Sequence, residues 1–182
     1  MKKVLVPLAA GFEELEAVTI IDLLRRANIS VTVAGLVDGA ITGSRGTRIL
    51  PDEILGTSSA SDYDMIVLPG GLPGADNLNS DSRIHDLLKQ MADDGRYIAA
   101  ICAAPKVLAT AGLLVNREVT SFPGVLSEVD AEGMHHTGMN TVIDGNVITS
   151  RGPGTAMDFS LELIQLLAGT EIRQQVETGL QR

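Results

Sequence analysis

The amino-acid sequence predicts an α/β fold, a sandwich with a mainly parallel sheet between layers of helices, and three observations carry that prediction. The length of 182 residues suits one core, against a usual ~150 residues per domain. Short runs rich in Val and Ile are almost continuously apolar, as strands covered on both faces are. Between them lie stretches with apolar residues at three- and four-residue spacing, the signature of amphipathic helices. Strand and helix alternate along the chain, which is the order of a parallel α/β sandwich.

In chain order, the predicted strands are Val4–Val6, Val31–Ala34, Met65–Leu68, Tyr97–Ile101, Glu118–Ser121 and Val147–Thr149, and the predicted helices are Glu14–Ala27, Ser82–Asp94, Pro105–Ala111 and Thr155–Leu167. Ala40–Thr42 and Arg48–Leu50 flank Gly43-Ser44-Arg45-Gly46, a small hairpin expected at the sheet edge. Asp144-Gly145, between Thr141–Ile143 and Val147–Thr149, is a second hairpin signal, because Asp-Gly accepts the positive φ angles of a tight turn. No linker, repeat or low-complexity tract divides the chain.

Composition excludes several functions. With 14 basic and 23 acidic residues the formal charge is −9, which disfavours sequence-specific binding to nucleic acid or attraction to an anionic membrane. The longest apolar runs fall well short of the ~20 residues of a membrane span. The start, Met-Lys-Lys-Val-Leu-Val-Pro, enters a strand at once, and the expectation is a cytoplasmic protein. A single cysteine, Cys102, leaves no intrachain disulfide and no Cys-x-x-Cys zinc site.

In open α/β sheets ligands sit beyond the carboxyl ends of strands, and Cys102 falls there, where Tyr97–Ile101 turns toward a helix that tolerates Pro105 in its first turn. Such a corner resembles a nucleophile elbow, with Ala100, Ala103 and Ala104 where glycines are common. A thiol facing a helix N-terminus is expected to have its pKa lowered from about 8.5 to roughly 3.5–7.5. The alternative is a small buried hydrophobe, the usual state of a free cysteine.

Glu13 and Glu14 read as caps that complement the dipole of the first helix. Glu16 has Ile20 and Leu23 at i+4 and i+7, so its carboxyl lies on or beside the apolar stripe. It is either a solvated surface group or a desolvated acid that stays protonated and donates to a thiolate. Leu68-Pro69-Gly70-Gly71-Leu72-Pro73-Gly74 follows a strand and offers backbone N–H groups to an anion. Ser150-Arg151-Gly152-Pro153-Gly154-Thr155 reads as a turn. His85 is expected on a solvated helix face, and His135 and His136 on a polar loop without the spacing of a compact metal site. No metal is expected.

Taken together, Ala10-Gly11-Phe12-Glu13-Glu14-Leu15-Glu16, Leu68-Pro69-Gly70-Gly71, Ala99-Ala100-Ile101-Cys102-Ala103-Ala104-Pro105 and Thr149-Ser150-Arg151-Gly152-Pro153-Gly154-Thr155 strongly resemble the ThiJ/PfpI superfamily over nearly the whole chain. Within it the sequence looks most like the branch of the parkinsonism-associated protein deglycase and its bacterial YajL-like relatives. The resemblance implies a flavodoxin-like three-layer sandwich, a single domain over residues 1–182, a homodimer, and Glu16 hydrogen-bonded to a nucleophilic Cys102. It implies an anion pocket made by the N–H groups of Gly71 and Ala103, a polar network of Asp22, Arg26 and Arg151 near the dimer interface, and Arg45 and Pro153 approaching the site or interface. The sequence departs from the human-type members at Phe122, where they carry a histidine and YajL-like members a phenylalanine. A cysteine peptidase that needs imidazole as its base is thereby disfavoured, and no residue argues for thiazole biosynthesis.

The function so implied is a cofactor-independent deglycase or glyoxalase. Cys102 would attack methylglyoxal, glyoxal or their early adducts on protein and nucleotide amines, and Glu16 would move a proton between the two carbons to give lactate or glycolate. The alternative is an oxidative-stress sensor with chaperone-like activity, in which Cys102 oxidises to a sulfinate held by protonated Glu16.

Overall fold

The computed structural model describes residues 1–56, 59–127, 129 and 131–181. The strands are β1 (Lys3–Leu8), β2 (Ser30–Gly35), β3 (Ile41–Thr42), β4 (Arg48–Ile49), β5 (Glu53–Ile54), β6 (Met65–Leu68), β7 (Tyr97–Ile101), β8 (Glu118–Val119), β9 (His135–His136), β10 (Thr141–Asp144) and β11 (Val147–Ser150). The helices are α1 (Glu14–Arg26), α2 (Gly74–Asn79), α3 (Ser82–Asp93), α4 (Pro105–Thr110), α5 (Ala156–Ala168) and α6 (Thr170–Gly179).

Seven strands form one sheet in the order β10-β11-β7-β6-β1-β2-β5. All its pairings are parallel except β10 with β11. Side chains alternate across it as the strand period requires. Val4, Val6 and Leu8 of β1, Val67 of β6 and Ile101 of β7 pack with α1 and α5 on one face, together with Ile20, Leu24, Phe159 and Leu163. Leu5, Ile66, Leu68 and Ile98 pack on the other face with Ile84 and Leu88 of α3 and Val107 of α4. Both faces are therefore covered, which is why the strands read as unbroken apolar runs, and the flavodoxin-like three-layer sandwich expected from the sequence is the one observed.

Each predicted helix is recovered to within one residue at its ends. Two strand expectations need correction. The segment predicted as a strand over Glu118–Ser121 contributes only Glu118–Val119, and these pair with β9 outside the large sheet. Thr120 and Ser121 are buried polar residues, and the Thr120 N–H donates to the Thr149 hydroxyl at 2.9 Å instead of to a ladder partner. The hairpin β3–β4 does not extend the sheet edge. It folds over the loop after β1, with Gly11 N–H donating to the Thr42 carbonyl and Ser44 N–H to the Phe12 carbonyl, both at 2.8 Å. The hairpin at the edge is β10–β11, the one signalled by Asp144-Gly145.

β1 connects through α1 to β2 on one side, whereas its other neighbour is β6. The direction of winding thus reverses between β1 and β6, and a crevice opens beyond their carboxyl ends. The loop from Ala9 to Glu13, the loop from Pro69 to Pro73 and the corner at Cys102 converge there.

Candidate functional site

Cys102 has φ of +64°, a left-handed conformation that a residue with a Cβ seldom adopts. Its N–H donates to the Ser150 carbonyl at 2.9 Å, and its carbonyl accepts from Phe122 N–H at 2.9 Å, so neighbouring segments hold the strained corner. This geometry throws the sulfur forward out of the strand end, as an elbow does. The side chain remains 8% exposed at the base of a pocket of about 330 Å³. Glu13, Ser44, Arg45, Leu72, Phe122, Val125 and Pro153 form the rest of its wall with Gly71 and Ala103.

Behind the sulfur lies Glu16. Its place on the inner face of α1, beside Ala17 and Ile20, leaves it with no solvent exposure, so of the two readings of this residue the buried one holds. Gly70 N–H donates to its Oε2 at 2.8 Å, while Oε1 has no conventional partner and the carboxyl interacts with the Cys102 thiol. Glycine is required at position 70, because a Cβ there would stand 2.7 Å from Cys102 Cβ and 2.8 Å from Glu16 Oε2. Gly71 is constrained as well: it has φ of +92°, and a Cβ would collide with the backbone of Gly11 and Glu13.

Burial pushes the Glu16 carboxyl up to about 7, against the hydrogen bonds from Gly70 and Cys102 that favour its ionised form. The expectation for Cys102 is overturned. Burial, the adjoining Glu16 charge and the hydrogen bond to it push the thiol up to about 12, although the N–H groups of Gly71 and Ala103 reach the sulfur and act the other way. The helix meant to lower it begins only at Pro105 and runs six residues, so its dipole is short and set back from the sulfur. Near neutral pH the pair therefore holds the thiol proton on sulfur and titrates first at the carboxyl.

Glu13 is the N-cap of α1, accepting from Leu15 N–H at 3.3 Å. Glu14 does more than complement the dipole: its Oε1 accepts from Arg45 N–H at 2.6 Å and Thr47 N–H at 3.2 Å, and Oε2 accepts from the Ser44 hydroxyl at 3.1 Å. This clasp fixes the β3–β4 turn over the pocket mouth. The sequence hides it, since the partners are about thirty residues apart and two of the donors are backbone groups; Gly43, which has no side chain to clash with the carboxylate, is the one local hint.

The other expected site residues separate into groups. Arg45 and Pro153 reach the pocket wall. Arg151 lies on an adjoining cleft that shares Phe122 and Pro153. Asp22 and Arg26 pair with each other at 2.7 Å on the exposed side of α1, away from the thiol. His136 is not on a free loop: it sits in β9, and its Nε2 lies 3.1 Å from the Ser121 hydroxyl. His135 pairs with Glu118 at 3.6 Å, and His85 is half-buried against the Asn79 carbonyl rather than solvated. No histidine among the described residues lines the Cys102 pocket. Among those residues no cluster of three or more His, Cys, Asp or Glu could hold a metal ion, and no helix is long and apolar enough to cross a membrane.

The DJ-1/PfpI family model matches residues 2–166. Protein dj-1beta of Drosophila melanogaster is 45% identical over 180 residues, spanning 98% of this chain and 96% of its own. Its crystal structure superposes with a TM-score of 0.93 at 46% identity, covering 98% of this chain and 97% of that one. The glutathione-independent glyoxalase DJR-1.2 of Caenorhabditis elegans is 37% identical over 159 residues, 87% of this chain and 84% of its own. The structure of oxidized Toxoplasma gondii DJ-1 is 35% identical with a TM-score of 0.93, over 99% of this chain and 98% of that one.

Because the folded carboxyl of Glu16 titrates at about 7 rather than 4.5, the native state binds the extra proton between those values. Stability should be greatest below 4.5 with respect to this group and fall as pH rises through about 7, by ~3 kcal/mol at ~1.4 kcal/mol per unit. Urea unfolding of the parent chain and Glu16→Gln at pH 5 and pH 8 checks this: the parent should lose stability relative to the variant at the higher pH.

Proposed function

The chain belongs to the DJ-1/PfpI family, and from that premise we propose that it is a cofactor-independent, cysteine-dependent glyoxalase or deglycase acting on small 2-oxoaldehydes and their early amine adducts. The observation that carries the reading is the sulfur of Cys102 held at a strained corner with its thiol proton facing a buried carboxyl poised at about 7.

A base is most useful when its pKa lies near the working pH. Ionised Glu16 accepts the thiol proton as the sulfur bonds to the aldehyde carbon, so a persistent thiolate is unnecessary. The alkoxide forms beside the sulfur that the N–H groups of Gly71 and Ala103 reach, and such preorganised donors stabilise developing negative charge. The alkoxide takes a proton from solvent in the open pocket to give the hemithioacetal, and Glu16 returns its proton to sulfur when the thiol is released. Conversion to a 2-hydroxyacyl thioester and its hydrolysis release the 2-hydroxy acid and restore the thiol. Phe122 supplies a hydrocarbon wall and no proton, so the reaction runs without an imidazole at that position. The pocket suits a small dicarbonyl, and its open mouth leaves room for the amine portion of an adduct. The worm relative's name, a glutathione-independent glyoxalase, supports the same chemistry.

A second reading, oxidation of Cys102 to a sulfinate in stress sensing, is favoured by the N–H donors around the sulfur and by the oxidized Toxoplasma relative. Oxidation selects thiolates, and the proton held on this sulfur ranks that reading second. A single thiol with no disulfide partner suits action in the reducing cytoplasm. We also propose a homodimer formed through the outer face of α1, where Leu15 is 52% and Val18 47% exposed beside Leu50 at 75%. The Asp22–Arg26 pair would border that contact. Val18→Glu should convert the dimer to monomer in sedimentation equilibrium, and a parent chain monomeric at micromolar concentration contradicts it.

Glu16→Gln keeps the side-chain shape and removes the base. Its kcat/KM on methylglyoxal should fall by about 10²–10⁴, while the parent's rate should rise with pH and level off above about 7. A variant with parental turnover overturns the mechanism.

A further inference from the structure

The pocket wall and the buried pair do not coincide. Glu16 has no solvent exposure, its Oε2 is engaged by Gly70, and it is absent from the residues lining the cavity. It can serve the sulfur but stands behind it with respect to the substrate. Isomerising a hemithioacetal needs a second proton transfer, from the carbon bonded to sulfur to the carbon beside it. Among the groups that face the cavity, Leu72, Phe122 and Val125 are hydrocarbon, and Arg45 is a guanidinium that does not give up its proton. Glu13 is the only carboxylate on that wall among the described residues.

Resting on the glyoxalase reading, we infer that Glu13 is a second catalytic residue of this site, the carboxylate that carries the proton between the two carbons of the substrate. Its hydrogen bonding leaves it free to do so. Oε1 receives the long N-cap bond from Leu15. Oε2 lies 3.2 Å from the Ser44 hydroxyl, which is also 3.1 Å from Glu14. One hydroxyl donates one proton and so satisfies one carboxylate at a time. Glu14 already holds the Arg45 and Thr47 N–H groups, whereas Glu13 depends on the shared hydroxyl and has capacity to accept from a substrate.

The step balances without an external oxidant. After the sulfur has added to the aldehyde carbon, Glu13 removes the hydrogen on that carbon as a proton, and the electron pair forms an enediolate with its charge on the former ketone oxygen. Glu13 then returns the proton to the adjoining carbon, the former ketone, as the hydroxyl on the sulfur-bearing carbon passes its proton to the former ketone oxygen and becomes the thioester carbonyl. One carbon is oxidised and its neighbour reduced, and water cleaves the thioester to give the 2-hydroxy acid. Glu16 and Glu13 thereby divide the chemistry, one acting on sulfur and the other on carbon.

Glu13→Asn preserves a strong N-cap while removing the carboxylate; Glu13→Gln is the isosteric companion. Both should lower kcat for methylglyoxal by about 100-fold or more with KM changed little. The pH dependence of Cys102 alkylation by iodoacetamide, which reports the thiol and Glu16, should shift only toward lower pH, since the Glu13 charge adds to the upward push on the Glu16 carboxyl. A kcat within threefold of the parent in Glu13→Asn overturns the assignment alone. A profile moved to higher pH, or a Cys102 no longer alkylated, alongside the lost activity also overturns it, since Glu13 would then act by positioning the buried pair. A parent chain without dicarbonyl turnover overturns the function itself and this assignment with it.

Discussion

The arrangement depends on one unfavourable act, the burial of the Glu16 carboxyl against the sulfur of Cys102. An ionised carboxylate out of water is costly unless it is paired with a cation or well supplied with donors. Here it faces a thiol, with a single backbone N–H from Gly70 on its other oxygen. The protein does not neutralise it with a lysine or an arginine, which would have fixed it as a carboxylate at every working pH. Left this way it keeps its proton into the neutral range, and the same low-dielectric surroundings keep the thiol protonated. On the proposed mechanism, reactivity comes from transfer within the pair at the moment of attack rather than from a standing thiolate.

The scaffold makes such a pair possible because three strand ends meet where the winding reverses. α1 leaves β1 and delivers Glu16 from one side, β7 ends at Cys102, and the loop after β6 passes between them through glycines. That passage allows no side chain at Gly70, and the backbone at Gly71 is both left-handed and crowded. The strain of a left-handed Cys102 is held by bonds to the Ser150 carbonyl and the Phe122 N–H, so distant segments are committed to the same corner. Over the mouth, Glu14 clasps the β3–β4 turn and brings Ser44 and Arg45 to the pocket.

Much of this was legible in the sequence. Continuous Val and Ile runs mark the buried parallel strands, and the i+4 and i+7 neighbours of Glu16 place its carboxyl on or beside the apolar stripe, leaving the structure to decide for burial. The position of Cys102 after an apolar strand located the corner. What escaped depended on contacts remote in the chain. Thr120 and Ser121 carry strand-like chemistry, yet the Thr120 N–H is taken by the Thr149 hydroxyl and the Ser121 hydroxyl meets the Phe122 carbonyl and His136. The clasp at Glu14 involves backbone donors, which no residue identity announces. α6 escaped because it buries little beyond Val176 and so shows a weak apolar stripe. The raised thiol is not legible from its place near a helix end, because the competing desolvation depends on packing.

The most direct test of the central claim is an infrared titration of the Glu16 carboxyl, taken as the difference between the parent chain and Glu16→Gln. A protonated carboxyl band that persists through mildly acid pH and disappears with a midpoint of about 7 is the result expected of a buried acid facing a thiol. A midpoint near 4.5, the ordinary value for a glutamate, would mean that the carboxyl is stably ionised beside Cys102, and the account of how the sulfur is activated would be wrong.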